Sequence, residues 1–407
     1  MFYRRKIRCA FKSFTVQILC IFSVFNEVHA VGESAVITLE FPAEAENTGL
    51  GESGVSIANT VNSVFWNPAN VASLYEESYV NFIYSRFSEK LLPALVSDLF
   101  HDFTAFSTTL NNIFPYIDIG YAYFRNHIDM GVNAIYDALG NLEYLTHSTE
   151  TVTSNCIGIR GFDILSLGLS LKRYDSRLAA RPDNSGYGIA KGKTFDFGIR
   201  VNKKFDLLGL FSLNPSIGAS ALNLGKDSAE FMYDTLVKDP LPRKGIAGGS
   251  CEFNLLDLFA YTVVYEMDFN LLTSPKERIE HMGHKFQITP FYAVIRGKMT
   301  DTAGKRFERS KGWVFNINFR ETFLMVSKFV KLRDKLNNTD NYAKMQRWDS
   351  LSVGGFDFKP NFFFKKSRSV ICGKDQIREG QTRNDWSIGI GIIGGFPDPF
   401  KKVAKEN

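Results

Sequence analysis

Gly49, Gly51 and Gly54 stand at the spacing G-x-G-x-x-G, which inside a strand–turn–helix unit lets backbone amides approach a pyrophosphate. That chemistry needs a βαβ context and an acidic partner further along. Antiparallel strand patterns follow these glycines, without crossover helices, so the triplet reads as a flexible turn and implies no nucleotide or other cofactor. His281 and His284, with Glu280 beside them, are metal-ligand types. Three residues apart on a strand, the two imidazoles fall on opposite faces and cannot chelate one ion, so no metal site is expected. His147-Ser148 supplies a nucleophile and a base, but no orienting Asn or Asp is recognisable around them. A G-x-S-x-G elbow, paired carboxylates and Cys–His arrangements are missing. The chain nominates no catalytic residue and reads as a non-enzyme.

The informative charges sit inside greasy strands: Asp118, Asp129, Asp196, Arg200 and Arg320. Against lipid each is very costly, so in a membrane barrel they are expected to face the lumen, lining a channel or pairing with one another and with the N-terminal segment.

Those strands show a period of two from about residue 77 onward. Phe195, Phe197, Ile199 and Val201 alternate with Thr194, Asp196, Gly198, Arg200 and Asn202; Ile128, Met130 and Val132 alternate with His127, Asp129, Gly131 and Asn133. Trp313, Phe315, Ile317 and Phe319 repeat the pattern. A soluble sandwich alternates in the same way with its apolar face inward. Many long strands, heavy aromatic usage (Phe 37, Tyr 16, Trp 4) and connections alternating between tight and long favour a transmembrane antiparallel up-and-down β-barrel. Fourteen strands are expected between 77 and 358, including a pair, 116–125 and 127–137, joined by a tight turn at Asn126, and one at 321–332. Loop parity also permits 16, through a further hairpin at 361–371 and 385–396, where Trp386, Ile388, Ile390, Ile392 and Phe396 read as a final strand. Two segments have helical spacing: Ser53–Phe65, which stops before Asn67-Pro68, and residues 90–114, an amphipathic helix in the first outward loop.

The start of the chain directs export. Arg4, Arg5, Lys6, Arg8 and Lys12 precede the apolar run Phe14–Phe25, which ends at Val28-His29-Ala30, so a signal peptide over residues 1–30 is expected, cut after Ala30. Its apolar core is too short to span a bilayer as a helix. Leu19 before Cys20, and the position of that Cys inside the apolar core, argue against lipidation. Removing the signal lowers the net charge from +5 to +1, leaving no basic surface for nucleic acid. Cys156, Cys251 and Cys372 are too few and too scattered for a disulfide framework and read as small wall-filling residues.

Gly49-Leu50-Gly51, the helix expected through Ser53–Phe65, and Phe65-Trp66-Asn67-Pro68-Ala69 resemble the N-terminal signature of FadL-like and PorV-like outer-membrane barrels, most closely an uncharacterised spirochaete branch. Leu222-Asn223-Leu224-Gly225 with Asp239-Pro240-Leu241-Pro242 supports the resemblance, which runs from about residue 45 to 358. It implies a 14-stranded barrel (77–358) plugged by an N-terminal hatch (31–76), followed by an extension (359–407), and a home in the outer membrane among its lipids. It also implies uptake of long-chain fatty acids or another hydrophobic small molecule, or, as in the PorV-like branch, service to a protein partner in secretion. Asn67, Pro68 and Ala69 are the hatch positions that match.

Overall fold

The computed structural model describes residues 35–395, apart from breaks at 42–43, 59, 75–79, 91–98, 115, 138, 179–187, 208–210, 226–227, 232–236, 256–258, 272–277, 290, 302–306, 319–350, 354–355 and 372–381. Alternating stretches become strands because only an extended chain sends every second side chain to the same side. In chain order they are β1 (Val80–Lys90), β2 (Phe100–Phe114), β3 (Ile117–Tyr136), β4 (Leu142–Gly161), β5 (Leu165–Arg177), β6 (Ile189–Asn202) and β7 (Phe211–Gly225). There follow β8 (Lys244–Leu255), β9 (Phe259–Asn270), β10 (Arg278–Thr289), β11 (Tyr292–Asp301), β12 (Phe307–Asn318), β13 (Phe356–Ile371) and β14 (Thr382–Gly395). Every pairing is antiparallel between sequence neighbours, and β14 pairs with β1 to close a 14-stranded barrel. Closure leaves no open edge, which a sheet in lipid cannot tolerate. Two short strands, Phe205–Leu207 and Leu351–Val353, attach beside β7 and β13.

The faces point as a membrane barrel requires. On β5, Leu165, Leu167, Leu169 and Leu171 are exposed while Ser166, Gly168, Ser170 and Lys172 are buried. On β6, Phe195 and Phe197 are 40% and 47% exposed, whereas Asp196 is 0% and Arg200 6%. Greasy side chains outside and charges inside exclude a soluble sandwich core; this is a transmembrane β-barrel. No helix among the described residues is long and apolar enough to cross a membrane.

Several expectations need correction. Residues 100–114 form a wall strand, not part of an amphipathic helix; Phe103 and Ala105 face inward and Phe106 and Leu110 outward, so apolar residues on both faces mimicked helical spacing. There is no turn at Asn126, because β3 runs unbroken through it. The supposed partner strand, 127–137, is the second half of β3, which pairs with β2 and β4. The hairpin placed outside the 14 strands supplies β13 and β14, moving the end of the barrel from 358 to 395. The strand expected at 321–332 lies outside the described residues, and β12 pairs directly with β13.

Ser53–Phe65 is not one helix. Among its described residues only Val61–Phe65 turns helically, as a 3-10 segment. Ahead of it, the Gly54 and Val55 amides donate to the wall carboxylate of Glu266 (2.8 and 2.9 Å) instead of to a preceding helical turn.

Candidate functional site

The described residues of 35–74 sit inside the barrel, packed against its inner wall. Besides Val61–Phe65 they contain 3-10 turns at Ile37–Leu39 and Pro68–Ser73 and a short helix, α1 (Ala45–Gly49). The segment is polar yet buried: Glu44, Asn47, Ser53, Ser56, Asn62, Asn67 and Asn70 expose none of their surface. Buried backbone polar groups must find partners, and this segment joins no sheet of the wall. The wall side chains serve instead. Glu150 accepts from the Thr38 amide (3.1 Å) and hydroxyl (2.8 Å), Ser387 Oγ accepts from the Ala45 amide (3.0 Å), and Ser310 donates to the Gly49 carbonyl (2.9 Å). His281 Nδ1 donates to the Gly51 carbonyl (2.7 Å) and Ser220 to that of Trp66 (2.7 Å).

The segment approaches so closely because the wall omits side chains there. Gly120, Gly158, Gly168 and Gly198 lie in register across β3, β4, β5 and β6. A Cβ on Gly168 would overlap the Ala69 amide, and one on Gly198 would overlap the Asn67 amide oxygen. Asn67 caps the Pro68–Ser73 turn, its Oδ1 accepting from the Ala69 N–H (3.0 Å). Its Nδ2 donates to the carbonyls of Val55 (2.8 Å) and Ile199 (3.0 Å), tying the segment to itself and to β6. Pro68 and Ala69 are buried beside it.

Ion pairs fix the other side. Glu46 on α1 lies 2.8 Å from Lys285 of β10 and 2.6 Å from Lys365 of β13, and Lys365 also reaches Glu44 at 3.3 Å. Burial alone would raise the Glu46 carboxyl, but the two ammonium groups outweigh it and hold that carboxyl far below the ordinary carboxylate range. Within the wall, Lys172 meets Asp196 at 2.8 Å.

The charges singled out from the sequence scatter through this arrangement. Asp118 is buried, 3.8 Å from Arg160. Asp196 joins Lys172 and accepts from the Asn223 amide (2.8 Å). Arg200 donates through Nε to Ser56 O (3.1 Å) and Ser216 Oγ (2.9 Å). Asp129 is the correction: it shares its face with Tyr121, Tyr123 and Arg125, outside the barrel, where it meets His147 at 2.7 Å. Outward residues turn polar there because the apolar band has ended. Arg320 lies outside the described residues. His147 and Ser148 fall on opposite faces of β4, with Ser148 accepting from Asn133 (3.0 Å), so they form no dyad. His281 faces inward and His284 outward, where it meets Tyr261 Oη at 2.8 Å. Gly49, Gly51 and Gly54 are wedged against Ile295, Lys298 and Trp66 and offer no open cradle. Cys156 is buried against the Pro68 carbonyl, Cys251 is half-buried, and Cys372 lies outside the described residues.

Sequence reasoning missed Glu44, Glu46, Lys285 and Lys365, the ends of the ion-pair latch. Strand parity was the signal for the two lysines; nothing local marks the two glutamates.

Beside the plug lies an aromatic patch. Phe65 packs edge-on to Phe103 (6.2 Å between ring centres), Phe124 (6.4 Å) and Trp66 (5.3 Å), and Phe103 stacks on Phe124 at 5.0 Å. Phe87, Tyr174, Phe231 and Leu241 join the same buried cluster. A barrel lumen is ordinarily polar, so apolar rings packed between plug and wall set this interior apart.

Fold and interior together define a membrane-spanning β-barrel whose lumen holds its own N-terminal segment. No protein-family model and no curated protein matches this chain. Similar solved structures include the TodX deltaS2S3 mutant monoaromatic hydrocarbon channel (TM-score 0.46, 8% identity, 87% of this chain and 99% of that chain covered). A Pseudomonas aeruginosa FadL homologue aligns with TM-score 0.42 and 9% identity over 87% of this chain and 98% of its own. The Pseudomonas putida toluene transporter TodX aligns with TM-score 0.41 and 9% identity over 87% and 98%.

Proposed function

We propose that this chain, exported with cleavage after Ala30, is an outer-membrane barrel for uptake of hydrophobic solutes, long-chain fatty acids among them, with residues 31–76 acting as a hatch. The observation that carries the reading is the aromatic cluster of Phe65, Phe103 and Phe124, buried between the N-terminal segment and a wall that also turns many serines, asparagines and charges inward. An apolar solute gains from such rings once the segment that covers them is displaced, whereas a water-filled pore has no use for them. The test is binding of a fluorescent long-chain fatty acid to the refolded full-length chain. Binding that weakens in Phe103→Ala supports the proposal; no binding of any apolar ligand in a varied panel overturns it. Hatch movement is tested with Ala45→Cys/Ser387→Cys, whose backbone amide and hydroxyl lie 3.0 Å apart. Locking that pair by oxidation stops uptake into vesicles and reduction restores it if the segment moves.

A second reading is favoured by the ion pairs of Glu46 with Lys285 and Lys365, which fix the segment in place. In it the barrel stays shut and, like the PorV-like proteins, serves a protein partner. Cross-linking in intact cells separates the two, since only this reading needs a stable protein companion.

A further inference from the structure

On several strands the outer face of the wall changes character along its length. From the end where the chain enters β1 at Val80, outward residues are apolar, and the next outward position is then a cation on strand after strand. Tyr84 is followed by Arg86, Leu171 by Arg173, and, running the other way, Phe195 by Lys193 and Trp313 by Lys311. This belt is densest on β11, β12 and β13. There Lys311 stands directly opposite Arg296 on one side and Arg368 on the other. All three are exposed, and among the described residues no carboxylate pairs with any of them. In the next row Lys298 faces Arg309, and below it Lys366 sits opposite Trp313 and Trp386.

Like charges directly opposite across strands repel, so three in a row are a cost to the bare barrel. The row lies one outward position beyond Trp313 and Trp386 and two beyond lipid-facing Phe315 and Phe364, where acyl chains give way to headgroups. Across the barrel a second like-charged pair, Arg173 opposite Lys193, lies one outward position beyond apolar Leu171 and Phe195, beside a cleft of about 440 Å³ lined by β4 to β6. Guanidinium groups bind phosphate through two parallel hydrogen bonds, and a lysine between two of them adds a point charge. We infer that Arg296, Lys311 and Arg368 form a site for phosphate-bearing anionic lipid headgroups in the leaflet at this end of the barrel. A free phosphate would satisfy the charges but not their seat beside the apolar band. The inference rests on the transmembrane fold alone and is independent of what the lumen carries.

The experiment is native mass spectrometry of the full chain in nonionic detergent, titrated with phosphatidylglycerol, phosphatidylcholine or inorganic phosphate. Wild type retains phosphatidylglycerol in preference to the other two. Each cation removed weakens that binding about fivefold, so Arg296→Gln/Lys311→Gln/Arg368→Gln loses roughly 100-fold. Because the replacement removes repulsion, the triple variant unfolds at no lower temperature than wild type in lipid-free detergent, which a purely structural role would not allow. Equal retention of the two lipids, undiminished phosphatidylglycerol binding by the triple variant, or displacement of the lipid by equimolar inorganic phosphate each overturns the proposal. Should the triple variant fail to fold, the wild-type comparison of the two lipids and Lys311→Gln alone decide.

Discussion

The Lys172 ammonium lies 2.8 Å from the Asp196 carboxylate, and neither side chain is more than 1% exposed. They sit on adjoining strands facing the lumen, and Asn223 joins them: its Oδ1 accepts from Lys172 (2.9 Å) and its amide donates to Asp196 (2.8 Å). Asn223 holds a φ of 59°, so the pair also steadies a left-handed residue near the end of β7. Two buried charges gain little net energy from one another, but one left alone is expensive. Lys172→Met and Asp196→Leu are each expected to destabilise the refolded barrel by about 3–5 kcal/mol, and the double variant to recover most of that loss. The urea midpoint of heat-modifiable gel mobility is the readout. Single variants within about 1 kcal/mol of wild type would show that the pair is not isolated from solvent.

Close approach of the N-terminal segment depends on the glycine row. Gly168→Val forces the Ala69 backbone off the wall, since even a single added carbon overlaps it. The expected outcome is a barrel that still forms but whose N-terminal segment is cut by protease at a rate well above wild type. Gly161→Ala is the control, because nothing lies within 4 Å of the added carbon. Equal protection in both variants would place the segment elsewhere.

Strand parity made much of this molecule readable in advance. Once Phe195 and Phe197 face lipid, Asp196, Arg200 and Gly198 must face in, whatever fills the barrel. Parity misled where a strand leaves the lipid. On β3 the outward side is apolar through Tyr123, then polar at Arg125, His127 and Asp129, while the inward side turns apolar at Phe124 and Ile128 to meet the plug. That exchange of faces, without a break in the backbone, looked like a turn at Asn126 and assigned Asp129 to the lumen. The plug itself was legible as a segment through Trp66-Asn67-Pro68, but not in its conformation. Its backbone partners are wall side chains such as Glu150, Glu266 and Ser387, each far away in sequence, and no local pattern announces them.

Orientation toward lipid has its own test. Phe197 is exposed in the middle of the apolar band, next to the inward-facing Asp196. Phe197→Arg is expected to cost about 2–4 kcal/mol of stability in lipid vesicles and much less in detergent. Asn155→Arg, exposed but already polar and bonded to Tyr121 Oη (2.8 Å), should cost less in the same vesicles. Reversal of that order would mean that Phe197 does not face hydrocarbon.

The latch between α1 and the wall gives the barrel an acid-sensitive element. Glu46 is ionised and held by Lys285 and Lys365, with its carboxyl well below the ordinary range. A carboxyl depressed in the folded state contributes stability that is fully present above the unfolded value, near 4.3, and that fades as pH falls toward the folded one. Stability should therefore be flat in this group's contribution from pH 7 to about 5, then fall by about 1.4 kcal/mol for each pH unit below about 4. Glu46→Gln removes the contribution throughout. Wild type should thus exceed the variant by about 3 kcal/mol at neutral pH, with the gap closing as the solution is acidified. Urea midpoints of both proteins across pH 7 to 3 measure it directly. A gap that is the same at pH 7 and pH 3 would mean that Glu46 holds the segment by shape rather than by charge.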